Sequence, residues 1–460
     1  MKVRAAVAIT MIGLVVHGFA LWYMTNATRI DPVILVLFVI LPIAIVSFGT
    51  LNGMSGTRQE TRLRRSVMQP FIIGSLVLVS AIGPAMATQT ILASRWPEQL
   101  RSSIDVRADF VLLAARDNGP AAALTLLREQ VLVEPDLILR GHHLAHEIGQ
   151  ISIEKADFDL ALLRECKFDF ASGCFHGMLE RYFFAHPEID ESWIPSFCEE
   201  LTGDSTLSAE SLECSHGLGH GLAVRSNHAI LPAVRTCDLL DSRIERRECH
   251  DGVFMEVSAH SLGEGHLGSA ASGHGTAADH ADAAISSNPT GSDDPSFPCN
   301  TVGDAYKESC WAYQYVSIRA NSGNSWDRTV EGCRASGSPS LAEKCIFGVG
   351  KQLASENYFD WDEVFQMCRA LPLEEGQACI SGAVEHLVDF AWASDRAFEF
   401  CRVSPAPLAE SCHFRLGTRL GFLFAAPEAM ERCASNADRL ESACRQGVNQ
   451  SHDLRATGNS

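Results

Sequence analysis

Histidine and glutamate side chains spaced four residues apart recur three times between residues 142 and 220. The three pairs are His142/His146, His176/Glu180 and His216/His220. Residues four apart lie on the same face of an α-helix. Imidazole and carboxylate groups are ligands for zinc, iron, manganese and copper. The spacing therefore predicts helices that each present two metal-binding groups on one face.

These pairs occupy equivalent positions in a repeat that is marked by cysteines. In two units the pair stands two and six residues after a cysteine, Cys174 or Cys214. His142 and His146 take the same places in a preceding unit that has no cysteine. In the unit that follows Cys214, Asp251 stands two residues after Cys249, and Glu256 stands seven residues after it, next to the equivalent position. Later units carry Phe, Val, Lys or Thr there. Because neighbouring helices pack about 8–10 Å apart, we predict one metal site formed by His142, His146, His176, Glu180, His216, His220, Asp251 and Glu256.

All sixteen cysteines lie in the later part of the chain and fall into consecutive pairs. The pairs are 166/174, 198/214, 237/249, 299/310, 333/345, 368/379, 401/412 and 433/444. From Cys299 onward the first members recur every 32 to 35 residues, which is the length of a helix-turn-helix repeat. We predict a disulfide between the two helices of each unit. No CxxC spacing occurs, which argues against zinc binding by these cysteines.

Glycine recurs three residues after the second cysteine in most units. The positions are Gly177, Gly217, Gly252, Gly348, Gly382 and Gly447. Glycine lowers helix propensity, so its recurrence inside helices requires another reason. We expect these glycines to let neighbouring helices approach closely.

The predicted fold class is all-α, with three N-terminal transmembrane helices followed by a disulfide-stapled helix-turn-helix repeat domain, an α/α solenoid. Residues 1–95 form the three-span anchor, 96–256 the N-terminal repeats with the His/Glu cluster and 299–460 the C-terminal repeats. Residues 257–298 form a flexible insertion rich in Gly, Ser and His, because Cys237 and Cys299 are 62 residues apart. Residues 120–133 and 135–154 are expected to form a helical hairpin, and 157–166 the next helix. The plan resembles secreted helical-repeat proteins with one disulfide in each helix pair.

The N-terminal part contains three apolar runs, at residues 5–24, 32–49 and 70–86, each near the length needed to cross a bilayer. Basic residues concentrate at the N-terminus and between the second and third runs. Positive charge stays in the cytoplasm, so we expect a cytoplasmic N-terminus in the inner membrane. Residues after about 95 are then extracytoplasmic, where cysteines oxidise to disulfides.

The N-terminal part of the chain is basic and the remainder is acidic. Residues 1–95 hold eight basic and two acidic side chains, a net of +6, so the rest of the chain carries −25. A domain this acidic is repelled by phosphate backbones. Nucleic-acid binding is therefore not expected, and the membrane is the predicted partner.

Two functions fit these features. The first is a membrane-anchored, extracytoplasmic helical-repeat protein that binds a transition metal, with zinc, iron, manganese and copper as the candidates and enzymatic activity left open. The second is a scaffold that binds a protein or peptide on its concave face without metal. A metalloprotease is not favoured, because Gln150 stands where an HExxH motif beginning at His146 requires its second histidine.

Overall fold

The computed structural model describes residues 103–166, 168–202, 208–262, 294–391, 394–436 and 440–457. All described residues belong to one compact unit, which begins at Arg101. The predicted membrane anchor at residues 1–95 therefore lies outside the described residues. Among the described helices, none is both long and apolar enough to cross a membrane.

The regular elements in these ranges are all helices, as the repeat pattern predicts. The α-helices are α1 Ser103–Asn118, α2 Pro120–Val133, α3 Gly141–Lys155, α4 Gly173–Ala185, α5 Phe197–Thr202, α6 Ala209–Arg225, α7 Ile230–Cys237, α8 Arg243–Ser261, α9 Lys307–Asn321, α10 Trp326–Arg334, α11 Pro339–Glu356, α12 Asp362–Ala370, α13 Leu373–Ala391, α14 Ser394–Val403, α15 Ala406–Leu423, α16 Ala426–Asn436 and α17 Glu441–Thr457. Short 3-10 helices occupy Pro135–Arg140, Leu160–Glu165, Glu191–Ser196 and Asp304–Tyr306.

An α-helix is predicted at residues 157–166, and this is wrong, because the structure has a 3-10 helix at Leu160–Glu165. Asp157 and Phe158 have φ values of 54° and 63°, in the left-handed region that L-residues rarely adopt. They reverse the chain after α3. Asp159 then caps a 3-10 helix by accepting a hydrogen bond from the backbone N–H of Ala161 at 2.9 Å.

The predicted cysteine pairing is confirmed for all eight pairs. Their Cα atoms are 5.4–5.7 Å apart, the separation of disulfide-bonded residues. Most bridges join the end of one helix to the returning helix of the same unit, and the sulfurs lie in the core. Each bridge ties a thin two-helix unit together.

Removal of one bridge tests its contribution to stability. We expect the Cys368→Ala/Cys379→Ala variant to lose about 2 to 3 kcal/mol of unfolding free energy, because its 11-residue separation closes a short loop in the unfolded chain. Urea denaturation of variant and parent measures the difference. An unchanged midpoint would show that packing alone holds this unit.

The returning helices of successive units form one inner row. Its order is α3, α4, α6, α8, α9, α11, α13, α15 and α17, each packed on the next. The shorter helices between them lie along the outside and bury apolar side chains against the row. Buried Leu, Ile, Val and Phe side chains and the disulfides make a continuous core through the array.

Reciprocal glycine contacts bring four pairs of inner helices into close backbone contact, and we call these the tight pairs: α3/α4, α6/α8, α11/α13 and α15/α17. A one-sided contact, between Gly348 and the carbonyl oxygen of Ala312, joins α9 and α11. In α6/α8, a Cβ atom on Gly252 would lie less than 3.0 Å from the carbonyl oxygen of His216, and one on Gly219 equally close to that of Cys249. The same reciprocal contacts are made by Gly149 and Gly177, Gly350 and Gly382, and Gly417 and Gly447. The predicted close approach is therefore confirmed, although Gly217 meets the Leu179 side chain and not a backbone.

The inner row curls until its later helices face its earlier ones. The backbone N–H of Ala171, just before α4, donates to the carbonyl oxygen of Asp389 in α13 at 3.1 Å. Arg419 of α15 forms an ion pair with Glu213 of α6 at 2.9 Å. The inner faces of α3, α4 and α6 are consequently covered by α13 and α15, and they do not form part of an open concave surface.

Residues 257–261 of the predicted insertion at residues 257–298 belong to helix α8. Helix α8 continues to Ser261, since Val257 and Ser258 are buried and extend its packed face. Residues 294–298 are again described, as a turn that leads to Cys299. The remainder of the predicted insertion, residues 263–293, lies outside the described residues.

Candidate metal centre

Five imidazole rings meet on the inner faces of α3, α4 and α6. The ring centroids are 4.5 Å apart for His142/His146, 5.3 Å for His146/His176, 5.8 Å for His146/His220, 4.6 Å for His176/His220 and 5.2 Å for His216/His220. His146 and His220 are fully buried, and His176 is 2% exposed. The helices that carry them are brought together by glycine at the crossings, where Gly173 and Gly177 of α4 lie against α3.

The ligand atoms form three groups that are compact enough to hold a metal ion. The groups are His142/His146/His176, His176/His216/His220 and Glu180/His220/Glu256, and within each the ligand atoms lie within 4.8 Å of one another. Metal–nitrogen and metal–oxygen bonds are about 2.0–2.2 Å long, so atoms with these separations can share one ion after small side-chain movements.

Hydrogen bonds at one ring nitrogen determine which nitrogen each histidine offers. His142 Nδ1 donates to the carbonyl oxygen of Phe170 at 2.8 Å. His146 Nδ1 donates to Glu180 at 3.1 Å, and His220 Nδ1 donates to Glu180 at 3.1 Å and to Glu256 at 3.2 Å. A neutral imidazole that donates from Nδ1 keeps its lone pair on Nε2. These three rings therefore offer Nε2.

The Nε2 atoms face each other in two pairs. The His142 and His146 Nε2 atoms are 3.1 Å apart, and those of His216 and His220 are 3.3 Å apart. When both Nδ1 atoms of the first pair carry the proton, the two Nε2 lone pairs point at each other. A proton or a metal ion between them would then remove the repulsion. The separations match those of two nitrogens bound to one tetrahedral ion.

Glu180 and Glu256 bind the far side of the histidine rings. Glu180 is fully buried and accepts from His146, from His220 and from Gln150 Nε2 at 3.2 Å. Glu256 accepts from His220 and from His228 Nε2, also at 3.2 Å. Carboxylates in this position fix the ring orientation and make the other nitrogen a stronger ligand. The geometry gives both glutamates this orienting role for histidines that present Nε2 to the centre.

His176 lies in the middle of the cluster, and neither of its ring nitrogens has a hydrogen-bond partner among the residues that the structure describes. Burial, followed by the charges of His220 and His216, lowers its pKa well below the usual value. The ring is therefore neutral, and both nitrogens are buried without compensation. An unsatisfied buried polar group costs about 1–3 kcal/mol, so a ligand at His176 would recover this energy.

Neighbouring groups also shift the pKa values of His216 and His220. Burial and the charges of His220, Lys351 and Arg419 lower the pKa of His216 well below its usual value. Burial alone would also lower the pKa of His220, but hydrogen bonds to Glu180 and Glu256 outweigh it and raise that pKa. The two carboxylates thus stabilise any positive charge that this ring acquires.

Asp251, one of the eight predicted ligands, does not join the others. Its side chain hydrogen-bonds Ser309 of α9 and lies beside Glu248 and Arg247, and burial raises its pKa to about 6. The reason is helical phase. Gly252 lies against α6, so Glu256, four residues later, faces the same way, whereas Asp251 lies one residue back and faces α9.

His228 completes the Glu256 environment and was not predicted from the sequence. It stands in the turn after α6 with a φ of 60° and donates through Nε2 to Glu256. Its ring stacks on His260 with centroids 3.6 Å apart. Helical periodicity carries no information about a residue in a loop. The only sequence signal for this role is the presence of a histidine at position 228.

The turn before α4 supplies the partner for His142 at an energetic cost. Phe170, Ala171 and Ser172 have φ values of 53–58°. Left-handed backbone costs L-residues about 1–2 kcal/mol each. This run places the Phe170 carbonyl oxygen against His142, and Ala171 bonds to Asp389 across the curl. Strain of this kind accumulates at functional sites.

Helices α13 and α15 face the two less buried histidines of the cluster. His142 and His216 are partly buried, and the Phe390 ring of α13 lies 5.9 Å from His142. Charged groups of α11, α13 and α15 follow, including Lys351 paired with Glu385 at 3.3 Å and Arg419 paired with Asp389. The centre therefore has both an aromatic ring and a network of ion pairs as neighbours.

Comparison with known proteins finds no match: no protein family, curated protein or solved structure is similar to this chain.

Proposed function

We propose that this protein binds a transition metal through the ring nitrogens of its five clustered histidines, with Glu180 and Glu256 holding the rings. The observation that carries this proposal is His176, which is 2% exposed and, within the described part of the chain, has no hydrogen-bond partner at either nitrogen. Four further imidazoles surround it, and two of their nitrogen pairs are spaced as ligands of one ion.

The donor set favours some metals over others. Imidazole nitrogen suits zinc, copper and iron, whereas manganese prefers oxygen ligands. Because the two glutamates contact Nδ1 atoms, the centre of the cluster is lined by nitrogen. Zinc and copper are therefore the first candidates and iron the next. Three histidines on one ion leave a position for water or substrate, as in catalytic zinc sites.

We infer that this domain is extracytoplasmic and anchored in the membrane. Eight disulfide-bonded cysteine pairs favour an oxidising compartment. The three apolar runs before residue 95 and the basic residues between the second and third support an inner-membrane anchor with a cytoplasmic N-terminus.

Metal analysis of the purified full-length chain tests the proposal. We expect stoichiometric metal in the parent and none in the His142→Ala/His176→Ala/His216→Ala variant, which removes ligands from both pairs but keeps the His146–Glu180–His220 contacts. The control is His143→Ala/His186→Ala, since both of these histidines are exposed and lie outside the cluster. Inductively coupled plasma mass spectrometry after dialysis gives the metal content.

Two results would contradict the proposal. One is a metal-free parent that gains no thermal stability when zinc or copper is added. The other is a triple variant that keeps its full metal content, which would place the metal elsewhere. Circular dichroism of all three proteins separates loss of metal from loss of fold.

A groove in the C-terminal repeats supports the second candidate, a peptide-binding scaffold. Its volume is about 600 Å³, and its lining includes Glu343, Glu374, Glu410, Gln377, Gln446 and Phe414. Three carboxylates beside one aromatic ring would suit a basic peptide. This groove lies away from the histidines, so the two activities could coexist in one chain.

A further inference from the structure

The histidine cluster consists of two ligand pairs that share one ring. His142 and His146 form one pair on α3, and His216 and His220 form the other on α6, each with facing Nε2 atoms. The compact group on α3 and the compact group on α6 overlap only in His176. This arrangement fits two adjacent metal centres that share His176 better than it fits a single centre with five ligands.

His176 is placed between the two pairs. Its ring centroid lies 5.8 Å and 5.3 Å from the rings of the α3 pair, and 5.0 Å and 4.6 Å from those of the α6 pair. The Nδ1 atoms of His142, His146 and His220 contact oxygen atoms, whereas neither buried nitrogen of His176 has a hydrogen-bond partner among the described residues. Both ring nitrogens of His176 are thus available to ligands.

We propose that the centre holds two divalent ions, one on each Nε2 pair, with the His176 ring bridging them through its two nitrogens. This inference rests on the proposed metal binding and adds the number of ions and the role of His176. When the second ion binds, the ring releases its remaining N–H proton to solvent, so that each nitrogen donates one lone pair. Each ion then has three nitrogen ligands and a position for water.

The surroundings can offset the charge of two ions. Glu180 and Glu256 are buried directly behind the rings and supply two negative charges. The bridging ring, once deprotonated, supplies a third. Opposite the cluster, the cations Lys351 and Arg419 are already paired with Glu385, Asp389 and Glu213. A second ion therefore enters a region with negative charge in direct contact with its ligands.

Copper titration of the metal-free full-length protein tests the bridge. Cu²⁺ is the probe, because two Cu²⁺ ions joined by one imidazole ring couple magnetically. We expect two ions to bind per chain, and the electron paramagnetic resonance signal to rise with the first ion and to lose most of its intensity with the second. His176→Ala should abolish this loss, because no bridge remains.

Single-ligand variants assign the ions. His142→Ala and His216→Ala should each retain one tightly bound ion with an uncoupled signal, while His143→Ala should behave as the parent. Two uncoupled ions in the parent would overturn the bridge, and one ion per chain would overturn the second centre while leaving metal binding intact. A chain that binds no copper, zinc or iron would refute the proposed function itself.

Discussion

Replacing Glu180 with Ala is expected to destabilise the protein by about 3 to 5 kcal/mol, because one fully buried carboxylate accepts hydrogen bonds from His146, His220 and Gln150. Removal takes away the Glu180 acceptor of the buried His146 ring and leaves His220 with Glu256. Urea denaturation of the metal-free variant and parent measures this loss directly. Glu180→Gln preserves the size and part of the bonding, so it should cost less stability.

The same carboxylate has a second expected effect, on metal affinity. In Glu180→Gln, we expect metal to bind roughly 10- to 100-fold more weakly, since outer carboxylates orient histidine ligands and strengthen them. Glu147→Gln is the matched control, because Glu147 contacts the exposed His143 at 3.0 Å outside the cluster. The control should change stability by no more than about 0.5 kcal/mol. If Glu180→Gln bound metal as tightly as this control, the orienting role would be refuted.

Gly252→Val is expected to cost about 3 kcal/mol or more, at the upper end of the range for overpacking. A Cβ atom at this position meets the carbonyl oxygen of His216 and lies 3.2 Å from the Cα atom of Gly219. Helix α8 must therefore move away from α6. Because Glu256, one turn later, contacts His220, the displacement should also weaken metal binding. Thermal unfolding and metal titration of the variant give the two effects.

Gly303→Ala is the control for this substitution. A Cβ atom on Gly303 would lie 3.8 Å from the nearest atoms, in the Tyr306 ring, which is ordinary van der Waals separation. We expect it to leave stability and metal binding within about 0.5 kcal/mol of the parent. A Gly252→Val protein as stable as Gly303→Ala would mean that the α6/α8 contact can open without cost.

The cysteine and glycine positions predicted much of this fold because each reports a local constraint. A disulfide joins residues whose Cα atoms lie near 5.5 Å, so a regular spacing of pairs such as 368/379 and 401/412 implies regular hairpins. Glycine inside a helix indicates a close neighbour, and Gly252 and Gly382 have one. The four-residue spacing of His142 and His146 similarly fixes their common face. These signals need no knowledge of distant contacts.

Other features depend on tertiary geometry and could not be obtained from spacing. Choosing Glu256 over Asp251 requires the rotation of α8 about its axis, which is set by the Gly252 contact. His228 reaches the site from a turn with left-handed backbone. The return of α13 and α15 over the cluster accumulates from small rotations between many units, and a repeat length alone does not give their sum.

The tight pairs divide the inner row into blocks of two helices, with α9 outside them, and the histidines lie across the boundary between the first two blocks. Helices α3 and α4 form one block, and α6 and α8 form the next. Between them, Gly217 and Gly221 of α6 lie closest to the side chains of Leu179 and Phe183, and the carbonyl oxygen of Leu179 is 3.1 Å from a Cβ atom placed on Gly221. Backbone contacts are closer within each block than across this seam. An ion bound by rings from both blocks would hold the two blocks together, and the distance between the blocks would then depend on whether metal is bound.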